Sequence, residues 1–310
     1  MRTPTDVIGC ENWKDFDASM ARRFKDRYDS FLRSFDGFVV THAPSFALIF
    51  EKYNKPIIMI NSCRYEQPYS FTQNFANWQW VEEGLERMQR KGQLIAVSNN
   101  KADQEYLLAG ARVTSVHIPS LCLYTNSTYA PNRREFVCFG ERSFFPPSDL
   151  LVSKPKRYDW SQLYQYKGIV HVPYEISTMS IFEQYSAGCP LWFPSRKFFK
   201  ECVRNGSMFF QTPYAFLERE YHKFRGKGKY PDHIQRIATS IDFWIDRADF
   251  YDDSNMRGVF YYDSPADLIQ KITWFRESPE QLRARLAWIQ TRKEQVYQAW
   301  KELLDPLVRG

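Results

Sequence analysis

Short, continuous runs of β-branched and aromatic residues recur along this chain, separated by longer stretches with helical spacing. Gly37-Phe38-Val39-Val40-Thr41, Pro56-Ile57-Ile58-Met59-Ile60, Leu94-Ile95-Ala96-Val97 and Thr114 to Ile118 are four such runs. A strand that is apolar on both sides has no water-facing side, so its sheet must be covered on both faces, as parallel sheets are. Between the runs, Pro44 opens a helix over 44–53 and a longer helix fills 71–91. Asn100 caps a further helix that Gly110 ends. Strands alternating with helices in this way predict a doubly wound α/β fold.

The segment Ser120 to Arg134 is polar and reads as a linker. The alternation then restarts, with strands at Phe136–Phe139, Gly168–Val172, Pro190–Phe193 and Val259–Tyr262. Helices are expected near 178–188, 196–205, 212–222 and 231–248. Ser264-Pro265 and Ser278-Pro279 each pair an N-cap with proline at the first helical position. The last helix, over 279–304, carries Leu282, Leu286, Ile289, Val296, Trp300 and Leu303 on one stripe. The expected plan is two doubly wound Rossmann-like domains, 1–130 and 131–278, facing a central cleft. A long C-terminal helix over 279–310 packs back on them. In such a plan ligands bind at the carboxyl ends of strands, here in the cleft.

Composition narrows the function classes. The chain is 44% hydrophobic and holds 25 Phe, 19 Tyr and 9 Trp, which excludes a disordered or collagen-like protein. Most of these rings serve a core; the remainder suit flat or ring-shaped ligands. The net charge of +6 is too dispersed for a dedicated nucleic-acid binder. The basic run over 223–229 reads as a solvated loop, and Lys154-Pro155-Lys156-Arg157 is either such a loop or a stretch that meets phosphate. The six cysteines have no C-x-x-C spacing and read as free thiols of a reducing compartment. No apolar leader follows Met1, and no run approaches the ~18 apolar residues of a membrane helix, so a cytoplasmic protein without a membrane span is expected. Asn126-Ser127-Thr128 and Asn205-Gly206-Ser207 match the glycosylation pattern by chance in that setting.

The stretch from Gly168 to Leu191 carries the chemistry. It reads strand, loop, helix, strand: Pro173 stops the first strand, and Ser177 or Thr178 caps the helix. The first-turn N–H groups, with the positive end of the helix dipole behind them, form an anion site suited to a diphosphate. Glu183, about one and a half turns into the helix, suits a pair of vicinal hydroxyls such as those of a ribose. Gly188 ends the helix and turns the chain into the next strand.

Glu175 and Glu183 have seven residues between them. This spacing, with Tyr174 before the first glutamate and Ala187-Gly188-Cys189-Pro190 after the helix, resembles the E-x7-E motif of nucleotide-sugar glycosyltransferases with the two-domain GT-B fold. The resemblance covers the second half of the chain well and the first half in outline. Within that family the chain looks most like exostosin-like enzymes and the small sugar transferases of large algal viruses; a viral origin would put it in the host-cell cytoplasm. Ile176-Ser177-Thr178 departs from the proline–aromatic–glycine run common in retaining members, which leaves the anomeric outcome open.

The resemblance implies roles residue by residue. Glu183 would hold the donor ribose and Glu175 would lie near the donor sugar. Ser177, Thr178, Met179 and Ser180 would receive the diphosphate, and Tyr174 and His171 would line the base or the sugar. For His171 a packed strand histidine is an equal alternative. Phe136-Val137-Cys138-Phe139-Gly140-Glu141-Arg142 looks like the first donor-domain strand, with Gly140 in its turn and Arg142 neutralising phosphate. The family's later lysine is missing, and Lys154 or Arg157 stands in for it. Arg196 and Lys197 read as surface charge.

In the first half, Glu66 follows a strand and is the candidate base for an inverting transfer, with Arg64 to orient it or hold phosphate. His42 is the rival base, and a retaining enzyme needs neither. The resemblance implies a UDP-sugar donor, leaning to xylose or another pentose or a hexose, a glycan or glycoprotein acceptor, and no metal or other cofactor. Asp15-Phe16-Asp17 matches the metal-binding D-x-D of a different transferase class, but it lies in a polar helical stretch rather than after a strand. The alternative function is a non-catalytic nucleotide- or carbohydrate-binding protein with a lapsed site. A nucleic-acid binder would need a modular signature that the sequence lacks.

Overall fold

The computed structural model of the chain describes residues 7–72, 74–208 and 240–309. The helix expected at 212–222, the first part of that at 231–248 and the basic run at 223–229 lie outside the described residues. The chain divides into two compact units, with the division between Ile118 and Pro119.

The first unit is built on a four-stranded parallel sheet: β1 (Phe38–Val40), β2 (Ile57–Asn61), β3 (Leu94–Ser98) and β4 (Ser115–His117). Its strand order follows the chain, and Met59 pairs with Val40 on one side and Ala96 on the other. Every crossover therefore steps in one direction. The doubly wound pattern expected here does not hold for the described residues, because the strand order never reverses.

Helix α1 (Ala18–Leu32) is capped by Asp17, whose carboxylate accepts from Met20 N at 2.7 Å. This accounts for the second aspartate of the D-x-D match. The helix expected over 44–53 is two 3-10 segments, Pro44–Ile49 and Glu51–Tyr53. The one expected over 71–91 is split into α2 (Tyr69–Thr72) and α3 (Phe75–Arg90), because Asn74 caps the second by accepting from Asn77 N. Asn100 caps α4 (Lys101–Ala111) as expected, accepting from Asp103 N at 2.7 Å. Gly110 does not end this helix; left-handed Arg112 does. Glycine is needed at 110 because a Cβ there would overlap the Tyr65 hydroxyl.

The second unit holds five parallel strands: β5 (Phe136–Phe139), β6 (Leu151–Ser153), β7 (Ile169–His171), β8 (Leu191–Pro194) and β9 (Phe260–Tyr262). Their order is β6-β5-β7-β8-β9, so the winding reverses between β5 and β7 and the unit is doubly wound. The edge strand β6 was not expected. Among the described residues its helices are α5 (Trp160–Leu163), α6 (Met179–Ser186), α7 (Arg196–Arg204), α8 (Ile241–Ile245), α9 (Pro265–Trp274) and α10 (Pro279–Arg309). Phe136, Cys138, Val170, Trp192 and Tyr262 build the core with Leu268 and Ile272 of α9. Ser264 and Ser278 cap α9 and α10 as expected, accepting from Asp267 N and Gln281 N.

Two expected boundaries move. The linker and the C-terminal helix both belong to the second unit. Tyr129 N donates to Ala187 O at 2.9 Å, and Ala130 N to Tyr164 O at 3.2 Å, so the unit begins before residue 130. Two arginines of α10 are buried in it. Arg285 pairs with Glu277 through both terminal guanidinium nitrogens and donates from Nε to Gly188 O. Arg292 donates to Asn255 Oδ1 at 2.7 Å and Ser120 O at 2.6 Å. All six cysteines are free thiols. No helix among the described residues is long and apolar enough to cross a membrane.

Candidate functional site

The reversal between β5 and β7 leaves a crevice at their carboxyl ends, because the chain leaves the two strands in opposite directions. A pocket of about 330 Å³ occupies it. Phe139 and Gly140 from the end of β5, Lys154 from the end of β6 and His171 to Glu175 from the end of β7 line it, with Thr178, Ser180 and Ile181 at the start of α6. Seven of the residues expected in a donor site are therefore brought together: Gly140, Lys154, His171, Tyr174, Glu175, Thr178 and Ser180. Gly140 has φ +130° and lies so close to β7 that a Cβ would fall 2.6 Å from Val172 Cβ.

His171 is buried and held from three directions. Its ring stacks on Phe193 at 4.5 Å and 3°, and Phe193 stacks in turn on Phe250 at 4.2 Å. Its Nε2 is 2.7 Å from Gln184 Oε1 on α6. Its backbone carbonyl accepts from the Tyr262 hydroxyl. Burial pushes the imidazole down to about 4, against a smaller upward pull from Gln184, so the ring is neutral.

Glu175 is also buried in the pocket wall and accepts from Ile176 N at 3.3 Å. Glu183 lies two turns further on, within α6, and does not line the pocket. It is only 6% exposed, and no described residue hydrogen-bonds to its carboxylate or pairs with it. Burial alone raises its pKa. Cys122 is its neighbour, with a thiol raised to about 12 by burial first and by the Glu183 charge second.

Thr178 stands at the N-cap of α6, but its hydroxyl pairs with Ser180 Oγ at 3.1 Å and makes no capping bond. The positive end of this helix therefore opens on the pocket without a side-chain cap. Ser177 and Met179 adjoin the pocket without lining it, and Met179 is exposed. Lys154 brings the pocket's cation. Its Nζ lies 5.0 Å from the Phe139 ring centre and 5.6 Å from that of Tyr158, and no carboxylate among the described residues pairs with it. Arg142 does not fill the expected phosphate-binding place. Its guanidinium is taken up by four backbone carbonyls of the β5–β6 connection, those of Leu151, Phe145, Pro146 and Ser148.

The base candidates lie at the carboxyl edge of the first unit's sheet. Glu66 is completely buried, with Oε1 accepting from Ser70 Oγ at 3.0 Å and Oε2 unpartnered. Burial raises its pKa to about 7, opposed by the charge of Arg64. Asp103 on α4 belongs to the same buried group; its pKa is raised by burial and lowered by Arg64 and Asn100. Arg64 thus serves two carboxylates inside the unit. Burial closes the Glu66 carboxylate to solvent, which is not the exposed placement that the general-base role expected for it calls for. His42 is exposed beyond β1, with its ring 5.3 Å from Trp13.

Sequence reasoning missed Phe139, Gln184, Phe193 and Asp103. Only Gln184 had a visible signal, as a polar residue beside Glu183 on a helix flanked by apolar residues. Of the aromatic residues next to the candidate motifs in sequence, Tyr174 lines the pocket and is 54% exposed. Tyr65, Tyr69, Phe182 and Tyr185 are core, and the Phe71 side chain lies outside the described residues. Comparison with protein-family models, curated proteins and solved structures gives no match for this chain.

Proposed function

We propose that the chain is a glycosyltransferase of the GT-B kind, which moves a sugar from a nucleoside diphosphate donor to a glycan hydroxyl, with the second unit as its donor-binding half. One observation carries this reading. A pocket sits at the strand-order reversal of a parallel sheet, where an uncapped helix start and Lys154 offer positive charge to a diphosphate. Glu175 lies in its wall, and the carboxylate of Glu183, which has no partner among the described residues, lies on the helix that starts at the pocket, for the ribose hydroxyls. In the transfer the acceptor oxygen bonds to the anomeric carbon, the bond from that carbon to the diphosphate breaks, and the acceptor proton leaves to a base or to the departing phosphate. Exposed His42 is the better base of the two candidates if the transfer inverts. UDP carrying a pentose or a hexose is the donor we favour.

The burial of Glu66 and the use of Arg142 within its own loop favour a second reading, a nucleotide-binding protein that no longer catalyses transfer. A thermal-shift screen with UDP, GDP and their sugar conjugates, followed by an assay for released diphosphate, separates the two. Stabilisation with turnover supports the transferase, and stabilisation without turnover supports the binding protein. No stabilisation by any nucleotide removes both.

A further inference from the structure

His171 is built as a hydrogen-bond reader rather than as a proton carrier. Stacking on Phe193 fixes the plane of its ring, and the 2.7 Å contact with Gln184 fixes its rotation. With Gln184 Oε1 turned to the ring, as the structure has it, the ring nitrogen that meets it carries the hydrogen, and Gln184 Nε2 is left without a hydrogen-bond partner among the described residues. The neutral ring then has its lone pair on Nδ1, and Nδ1 has no partner among the described residues. His171 lines the pocket beside Phe139, whose ring centre is 5.5 Å away, and near the exposed ring of Tyr174. A rigid acceptor on an aromatic wall suits a flat heterocycle with a ring N–H better than it suits a saturated sugar.

We infer that His171 Nδ1 accepts a hydrogen bond from the base of the bound nucleotide, so that the pocket selects bases with a ring N–H donor, uracil and guanine, over cytosine and adenine, which present a ring acceptor at the matching position. Gln184 is the positioning residue that holds the imidazole in this tautomer. The inference rests on the nucleotide-site reading above and adds the base to it.

The test is calorimetric titration of the full chain with UDP, GDP, CDP and ADP at one salt concentration. Wild type should bind UDP and GDP about tenfold or more tighter than CDP and ADP, the loss expected when a buried acceptor meets another acceptor. His171→Phe keeps a flat ring against Phe193 and removes the acceptor, so its four affinities should converge to within about threefold. Gln184→Glu sets a carboxylate beside Nε2, which favours the imidazolium and turns Nδ1 into a donor. CDP and ADP should then gain on UDP and GDP. A merely structural role for either residue would weaken all four alike. Equal binding of the four diphosphates by wild type, or preserved discrimination in His171→Phe, overturns the inference while leaving the nucleotide site standing. A variant effect confined to the sugar conjugates, with the free diphosphates unchanged, also overturns it and assigns Nδ1 to a sugar hydroxyl. Failure of wild type to bind any of the four withdraws the nucleotide-site reading itself.

Discussion

Gly140 and Val172 meet at the ends of neighbouring strands so closely that a Cβ on Gly140 would lie 2.6 Å from Val172 Cβ and 2.9 Å from Val172 O. The pocket opens at this contact, so its shape depends on the absence of one carbon atom. Gly140→Ala should force β5 and β7 apart and strain a φ of +130°. The expected cost is about 1–3 kcal/mol of stability. Chemical denaturation reads the stability and calorimetry the loss of nucleotide binding. A variant as stable as wild type that binds normally would remove the contact as the pocket's shaping element.

Glu183 predicts a trade between stability and binding. Its carboxylate is buried with no partner among the described residues, and burial raises its pKa, so removing the charge should relieve the fold. Glu183→Gln should melt at the same temperature as wild type or higher. If the carboxylate receives the ribose hydroxyls, the same change should weaken UDP or GDP about tenfold, the size of a lost charge-assisted hydrogen bond. Unchanged affinity in calorimetry would make the ribose assignment wrong.

Lys154 should act on phosphate and not on the base. It lines the pocket and has no ion pair among the described residues. Lys154→Ala should weaken UDP about tenfold at low salt and leave uridine unchanged, and the difference should shrink as salt is raised. Equal loss for both ligands would point to a lost contact with the Phe139 and Tyr158 rings instead.

The parts of the site that could be read from sequence are those written in local spacing. The strand–loop–helix frame around Glu175 and Glu183 is one, and the caps at Asn100, Ser264 and Ser278 are others. Apolar runs such as Val137-Cys138 and Ile169-Val170 are fully buried strands because nothing in them tolerates water. Strand β6 and helix α5 escaped because they are short: three residues on a sheet edge and four residues leave no room for an apolar period. Helix α1 is amphipathic but mostly polar, and it buries only Met20, Ala21 and Leu32. Strand order is not local, and the place where β5 and β7 part, which locates the pocket, became visible only in the sheet. The same holds for Glu66 and Arg142. Their residue types suit catalysis and phosphate binding, but their partners, Ser70 and the Arg64 charge for one and four backbone carbonyls for the other, are set by tertiary packing.

Glu66 also sets a pH signature. The native chain holds its proton up to about 7, whereas an exposed glutamate releases it near 4.5, because burial outweighs the opposing charge of Arg64. Between these values the folded state binds a proton that the unfolded state has lost, so stability falls as pH rises through this window and the loss is complete above it. A displacement of this size corresponds to about 3 kcal/mol. His171 works in the other direction. Its pKa drops from 6.5 to about 4 on folding, so its contribution is whole above 6.5 and is lost as pH falls toward 4. Across pH 4.5–6.5 the two slopes oppose, one acting on each unit. Glu66→Gln keeps the hydrogen bond to Ser70 and removes the ionisation, so the variant should match wild type near pH 4.5 and exceed it by about 3 kcal/mol at pH 8. Urea midpoints measured from pH 4 to 8 follow the difference. Parallel curves for the two proteins would mean that Glu66 is already ionised in the folded chain and that Arg64 outweighs its burial.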